Sequence, residues 1–127
     1  MRRFMVGLKS VYLLGVLLAA FSLFAALPML SCAQAQTTNI TVTNSSGWQI
    51  KHLYLATAGQ DNWGPDQLNG TVVNHGESFT INSAACTGAG LKIITEDQNG
   101  CFISHTADCA GDIAWTVTDS ETPDCGN

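Results

Sequence analysis

Residues 90–106 have the sequence GLKIITEDQNGCFISHT, which is the clearest indication of the fold of this chain. Two runs rich in β-branched and aromatic residues flank the polar segment EDQNG at 96–100. Such a segment, with Gly100 to adopt a positive φ, is typical of a hairpin turn. The pattern therefore predicts a β-hairpin with strands over 90–95 and 101–106.

The chain on both sides of this hairpin shows the same short runs, separated by Gly, Asn and Asp. Ile50 is out of phase with Leu53 and Leu55, and a β-bulge near Lys51-His52 would restore the alternation. The full set of predicted strands is Asn39–Asn44, Trp48–Ala56, Thr71–Val73, Glu77–Asn82, Gly90–Thr95, Cys101–Thr106 and Ile113–Thr118.

Turn residues also separate the other strands. NHG at 74–76 predicts a second hairpin, and Pro65 favours a tight or helical turn over 66–68. Many short strands joined by such turns favour an all-β fold. We predict a small antiparallel β-sandwich of about seven strands, stabilised by disulfides.

The N-terminus has the pattern of a secretory signal. A basic start at 1–9 precedes an apolar run from Val11 to Met29, and Ala33-Gln34-Ala35 fits a small-x-small cleavage site. We predict a signal peptide over 1–35 and a single exported domain over 36–127, periplasmic or extracellular. Two alternatives remain open: a lipoprotein modified at Cys32, and an uncleaved apolar anchor.

Cleavage at this site would leave a strongly acidic domain. Residues 36–127 contain two basic residues, Lys51 and Lys92, and all ten acidic residues of the chain, which gives them a net charge of −8. Nucleic acids and anionic lipids are therefore poor partners, and membrane contact is expected only through a lipid on Cys32 or an uncleaved signal. An unknown protein, a glycan or a cation remains a candidate partner.

Four cysteines follow the signal, and an even number in an exported chain predicts disulfides rather than a metal site. Pairing of 90–95 with 101–106 would place Cys86 near Cys109. Pairing of 101–106 with 113–118 would place Cys101 near Cys125. We therefore favour Cys86–Cys109 and Cys101–Cys125 among three connectivities.

Several motifs resemble those of a group of small exported bacterial proteins. The motifs are a strand ending in Leu-Tyr at 53–54, NWGPDQL at 62–68, GESF at 76–79 and the cysteine-flanked hairpin at 86–109. The group has an N-W-G-x-D-x-L motif and no established activity. The resemblance implies a compact disulfide-containing β domain without catalysis.

Trp63 is the main candidate binding residue, with two interpretations. We favour a plug that folds under its loop and closes one end of the sandwich, because large aromatic residues are mostly buried. In that case Asp66 caps the following turn. The alternative is an exposed Trp63 that stacks on a ligand together with Tyr54 and His52, which alternation places on the wet face of their strand.

Acidic residues provide one candidate metal site and no active site. Asp97 and Asn99 lie in the hairpin turn, Asp119 and Glu121 follow the last strand, and oxygen ligands of this kind suit calcium. No cofactor is expected otherwise. The three histidines are too scattered for zinc, and no nucleophile–base motif is present.

These features predict a non-catalytic binding module of unknown ligand rather than an enzyme. One alternative is an acidic inhibitor of a basic secreted enzyme such as a lysozyme, because charge complementarity would speed their encounter. The other is a carbohydrate-binding module that uses Trp63, Tyr54 and His52.

Overall fold

A computed structural model describes residues 36–126, which form six strands and no helix. The predicted signal peptide, the lipidation site at Cys32 and the cleavage site lie outside these residues. Within the described part of the chain, no helix has the length and apolar character needed to cross a membrane. The strands are β1 (Gln36–Asn44), β2 (Ile50–Thr57), β3 (Ser78–Cys86), β4 (Leu91–Asp97), β5 (Phe102–Ala107) and β6 (Ile113–Val117).

The strands form two three-stranded sheets, with the orders β3-β1-β6 and β2-β4-β5. The β2-β4-β5 sheet is antiparallel throughout. In the other sheet, β1 is antiparallel to β3 but parallel to β6. The predicted all-β class is thus confirmed, with six strands instead of seven and one parallel pair.

A shared apolar core lies between the sheets. It combines Ile40 and Val42 of β1 and Trp115 of β6 with Leu53 of β2 and Ile93 of β4, all at most 5% exposed. Each of these residues belongs to the inward set of an alternating strand. Two small sheets therefore enclose one core, in which Trp115 is buried.

The predicted bulge in β2 is present. Ile50 pairs with Asp97 and His52 pairs with Glu96, so Lys51 is the extra residue. This bulge lets Ile50 and Leu53 both face the core, although they are three positions apart. His52 and Tyr54 consequently point to the outer face of the sheet.

Two predicted strand pairings are wrong. Residues 71–73 form only an isolated bridge between Val73 and Ile50, so NHG at 74–76 connects no hairpin and β3 pairs with β1. Likewise, β6 does not pair with β5, the second strand of the hairpin, but with β1. Both errors concern partners distant in sequence, which local alternation does not specify.

Both predicted disulfides, Cys86–Cys109 and Cys101–Cys125, are confirmed. The second forms for a different reason from the one predicted. Phe102 N donates to Asp124 O at 2.7 Å and Asp124 N donates to Phe102 O at 2.8 Å, which brings the C-terminal segment beside β5. Disulfides form and persist in oxidising compartments, in agreement with an exported chain.

Candidate functional site

Four aromatic rings lie side by side on the outer face of the β2-β4-β5 sheet. The ring centroids are 6.1 Å apart for His52 and Tyr54, 5.6 Å for Tyr54 and Trp63, and 5.2 Å for Trp63 and Phe102. We call His52, Tyr54, Trp63 and Phe102 the aromatic row. The structure thus assembles the three predicted aromatic residues and adds Phe102.

The strand register explains why three of these rings meet. His52 pairs with Glu96, which pairs in turn with Phe102, so these side chains share one line across the outer face. Tyr54 lies two residues further along β2 and therefore on the same face. The β2 bulge and the hairpin turn at 97–100 together fix this arrangement.

Trp63 comes from a loop that runs along the free edge of β2. Gly64 N donates to Leu55 O at 3.0 Å and Gln67 N donates to Leu53 O at 2.8 Å. Leu68, 2% exposed, anchors the end of the loop in the core. Because the loop is fixed at the strand edge, Trp63 extends over the outer face instead of between the sheets.

Asp66 holds this loop against β2. Its Oδ1 accepts hydrogen bonds from Leu53 N and Leu68 N, both at 3.0 Å, and its Oδ2 accepts one from His52 Nδ1 at 2.8 Å. Partial burial alone would raise the pKa of Asp66, but these hydrogen bonds outweigh it and lower the pKa. Asp66 is thus a charged clamp rather than a free ligand group, and the predicted cap on the turn is one of its three contacts.

The favoured interpretation of Trp63 as a plug that folds under its loop and closes one end of the sandwich is wrong. Trp63 is 39% exposed, whereas Leu68 provides the buried side chain at this end. Trp63 nevertheless packs beside two aromatic rings, Tyr54 and Phe102, with centroid distances of 5.6 and 5.2 Å. The indole therefore contacts two other rings of the aromatic row and still exposes surface that a ligand could contact.

Carboxylates border the aromatic row. Tyr54 Oη donates to Glu96 Oε2 at 3.3 Å. Burial raises the pKa of Tyr54, and the neighbouring charge of Glu96 raises it further, so the phenol stays neutral. The described hydrogen bonds leave Glu96 Oε1 free to accept one from a ligand.

The predicted calcium ligands do not come together. Asp97 Oδ1 accepts from Asn99 N and Cys101 N, Asp119 Oδ1 accepts from Gly47 N, and Glu121 Oε1 accepts from the Trp115 indole. Among residues 36–126, no group of three or more His, Cys, Asp or Glu side chains is arranged to hold a metal ion. These carboxylates instead fix turns and one buried tryptophan.

Sequence reasoning overlooked Phe102. The signal was present, since the hairpin turn sets Phe102 opposite Glu96 and two strands from His52. The sequence did not predict the path of the loop that places the Trp63 ring between Tyr54 and Phe102.

No protein-family model, no curated protein and no solved structure matches this chain. The resemblance to the group of exported bacterial β domains therefore stays a prediction.

Proposed function

We propose that this domain is a non-catalytic binding module of the periplasm or cell exterior that holds a saccharide against the aromatic row. The observation that carries the proposal is the half-exposed Trp63 ring, packed between Tyr54 and Phe102 on the outer face of a sheet. A site of this kind supplies a large apolar contact with little loss of side-chain entropy.

The chemistry of the row suits a sugar ring. The C–H side of a pyranose is apolar and can lie on the indole, while its hydroxyl groups point to the sides. Glu96 Oε1 and the exposed Ser104 hydroxyl, on the same face, can accept hydrogen bonds there. This combination of an apolar platform and a few polar groups orients a neutral polar ligand.

Charge narrows the class of ligand further. Residues 36–127 have a net charge of −8, and both Glu96 and Asp66 lie beside the row. Saccharides that carry carboxylates or sulfates would be repelled, as would nucleic acids. Neutral saccharides and those with free amines fit this surface.

The test compares two conservative variants by isothermal titration with neutral oligosaccharides. Trp63→Leu keeps an apolar side chain but removes the ring, and it should weaken binding about two- to tenfold, since one stacked ring contributes roughly 0.5–1.5 kcal/mol. Thr41→Val, on the outer face of the other sheet, is the control and should bind as the wild type does. Equal binding by Trp63→Leu and the wild type would refute the proposal.

A second candidate function is inhibition of a basic secreted enzyme, because the net charge of −8 would steer a cationic protein towards this surface. Lysozyme is a suitable probe. This function requires association that weakens steeply with added salt, whereas stacking of a neutral sugar changes little.

A further inference from the structure

A second concave site lies near the aromatic row, at the turn of the β4–β5 hairpin. It is an open cavity of about 510 Å³ lined by Gly47, Trp48, Gln49, Asn74, His75 and Gln98. We call it the amide cavity. None of its lining side chains is a carboxylate, an ammonium or a guanidinium, although the chain as a whole is strongly acidic.

The polar groups of the amide cavity include both donors and acceptors. Gln98 Oε1 accepts from Gln49 N at 2.5 Å, and Asn74 Oδ1 accepts from Gln49 Nε2 at 2.6 Å. Among the described hydrogen bonds, the side-chain NH₂ of Gln98 and the side-chain Oε1 of Gln49 have no partner. A ligand with hydroxyl or amide groups could use both.

His75 adds a ring nitrogen whose role as an acceptor follows from a hydrogen bond on the other side of the ring. Its Nδ1 lies 2.9 Å from the carbonyl oxygen of Ser46, which can only accept, so Nδ1 carries the hydrogen. In the neutral ring Nε2 is then the acceptor. The half-buried Trp48 supplies an apolar wall beside these groups.

A buried asparagine fixes two walls of the amide cavity. Asn44 is 0% exposed, and its Nδ2 donates to Trp48 O at 2.8 Å and to Val73 O at 2.9 Å. Its Oδ1 accepts from the backbone and the hydroxyl of Ser46. These bonds hold Trp48 and the segment leading to Asn74 in place without a ligand, as preorganised binding requires.

The hairpin connects the amide cavity to the aromatic row. Glu96 borders the row, and Gln98, two residues further along the chain in the hairpin turn, lines the cavity, so their Cα atoms are at most about 7 Å apart. A ligand made of linked sugar rings could therefore contact Trp63 at one end and Gln98 at the other.

We propose that the amide cavity is a second subsite, so that the ligand is a chain of neutral sugar units rather than a single sugar. This inference rests on the proposed saccharide-binding function. It predicts that affinity increases with chain length until both subsites are filled, because each added hydrogen bond and apolar contact then contributes.

The experiment titrates the protein with chito-oligosaccharides and cello-oligosaccharides, from the disaccharide to the hexasaccharide. In the wild type, the longest ligand should bind at least about tenfold more tightly than the shortest. Gln98→Glu keeps the acceptor for Gln49 N but removes the NH₂ donor, and should abolish this gain. Gln60→Glu, the same change at another exposed glutamine, should retain it.

The outcomes separate the two proposals. Affinity independent of chain length, with binding still lost in Trp63→Leu, would overturn the second subsite and leave the aromatic row as the site. A gain with length that Gln98→Glu does not reduce would also overturn it. Failure of every saccharide in the series to bind would reject the saccharide function and the subsite together.

Discussion

The two outer faces of this small domain differ, although strands with the same alternation build both. The outer face of the β3-β1-β6 sheet bears side chains with hydroxyl, methyl or amide groups, among them Asn39, Thr41, Thr43, Ser78, Thr80, Ala114 and Thr116. The outer face of the β2-β4-β5 sheet bears the aromatic row. We call these the threonine face and the aromatic face.

The threonine face satisfies its own polar groups. Thr41 and Thr80 share a hydrogen bond of 3.1 Å, and Thr43 and Ser78 share one of 2.8 Å. Cross-strand hydroxyl pairs of this kind are a common way to stabilise a solvated sheet surface. Such a face needs no ligand to explain it.

The aromatic face is more costly to maintain. An exposed indole contributes no more to solubility than a polar residue would. The loop that carries Trp63 is nevertheless held in place by the charged clamp at Asp66. The difference indicates that alternation alone produces a solvated face, whereas added loops and aromatic side chains produce a binding face.

The disulfides should give the largest effect that separates the two faces. Replacing Cys101 and Cys125 with serine, or Cys86 and Cys109, should each lower the free energy of unfolding by about 3 kcal/mol, since both close loops of similar length. Urea denaturation measures this loss. Only the first double variant should also weaken saccharide binding, because Cys125 holds Asp124 against Phe102.

A comparison of saccharide affinity between the two double variants could also contradict this role of the C-terminal segment. Equal saccharide affinity in both double variants, measured below the urea concentration at which either unfolds, would show that the C-terminal segment does not position Phe102.

The Asp66 clamp should give a smaller effect. Asp66→Ala should lower the free energy of unfolding by about 2 kcal/mol and Asp66→Asn by about 1 kcal/mol, because asparagine retains the acceptor for the backbone but not the charge. Both variants should also loosen Trp63 and weaken binding to the aromatic face.

The same clamp predicts a dependence on pH. The pKa of Asp66 is lower in the folded chain than the ordinary aspartate value of 3.8, so the clamp stabilises the fold above that value and loses its effect as the pH falls through the folded pKa. The difference between wild type and Asp66→Asn should therefore shrink from about pH 5 downwards. A difference that stays constant down to pH 2 would contradict the charged clamp.

Local features of the fold could be predicted from the sequence. The EDQNG hairpin and the β2 bulge at Lys51 are present, because each depends on alternation or on residues close along the chain. Both disulfides are also present, although Cys101–Cys125 was predicted from a strand pairing that does not form. The parallel partner of β6 could not be predicted. It pairs with β1 across more than 70 residues, and several strands with the same alternation could have taken that place.

The candidate site was predictable only in part. Alternation placed His52 and Tyr54 on the outer face, but the position of Trp63 depends on hydrogen bonds between its loop and the edge of β2. No period in the sequence encodes those bonds. A general preference of tryptophan for burial therefore led to the wrong interpretation of a residue that is both packed and exposed.

The most direct test follows the indole N–H signals of the three tryptophans by two-dimensional NMR while a neutral tetrasaccharide is added. Trp63 should shift strongly, Trp48 should shift as the amide cavity fills, and the buried Trp115 should stay in place. A Trp63 signal that stays unchanged at saturating tetrasaccharide would contradict the assignment of the aromatic face as the binding surface.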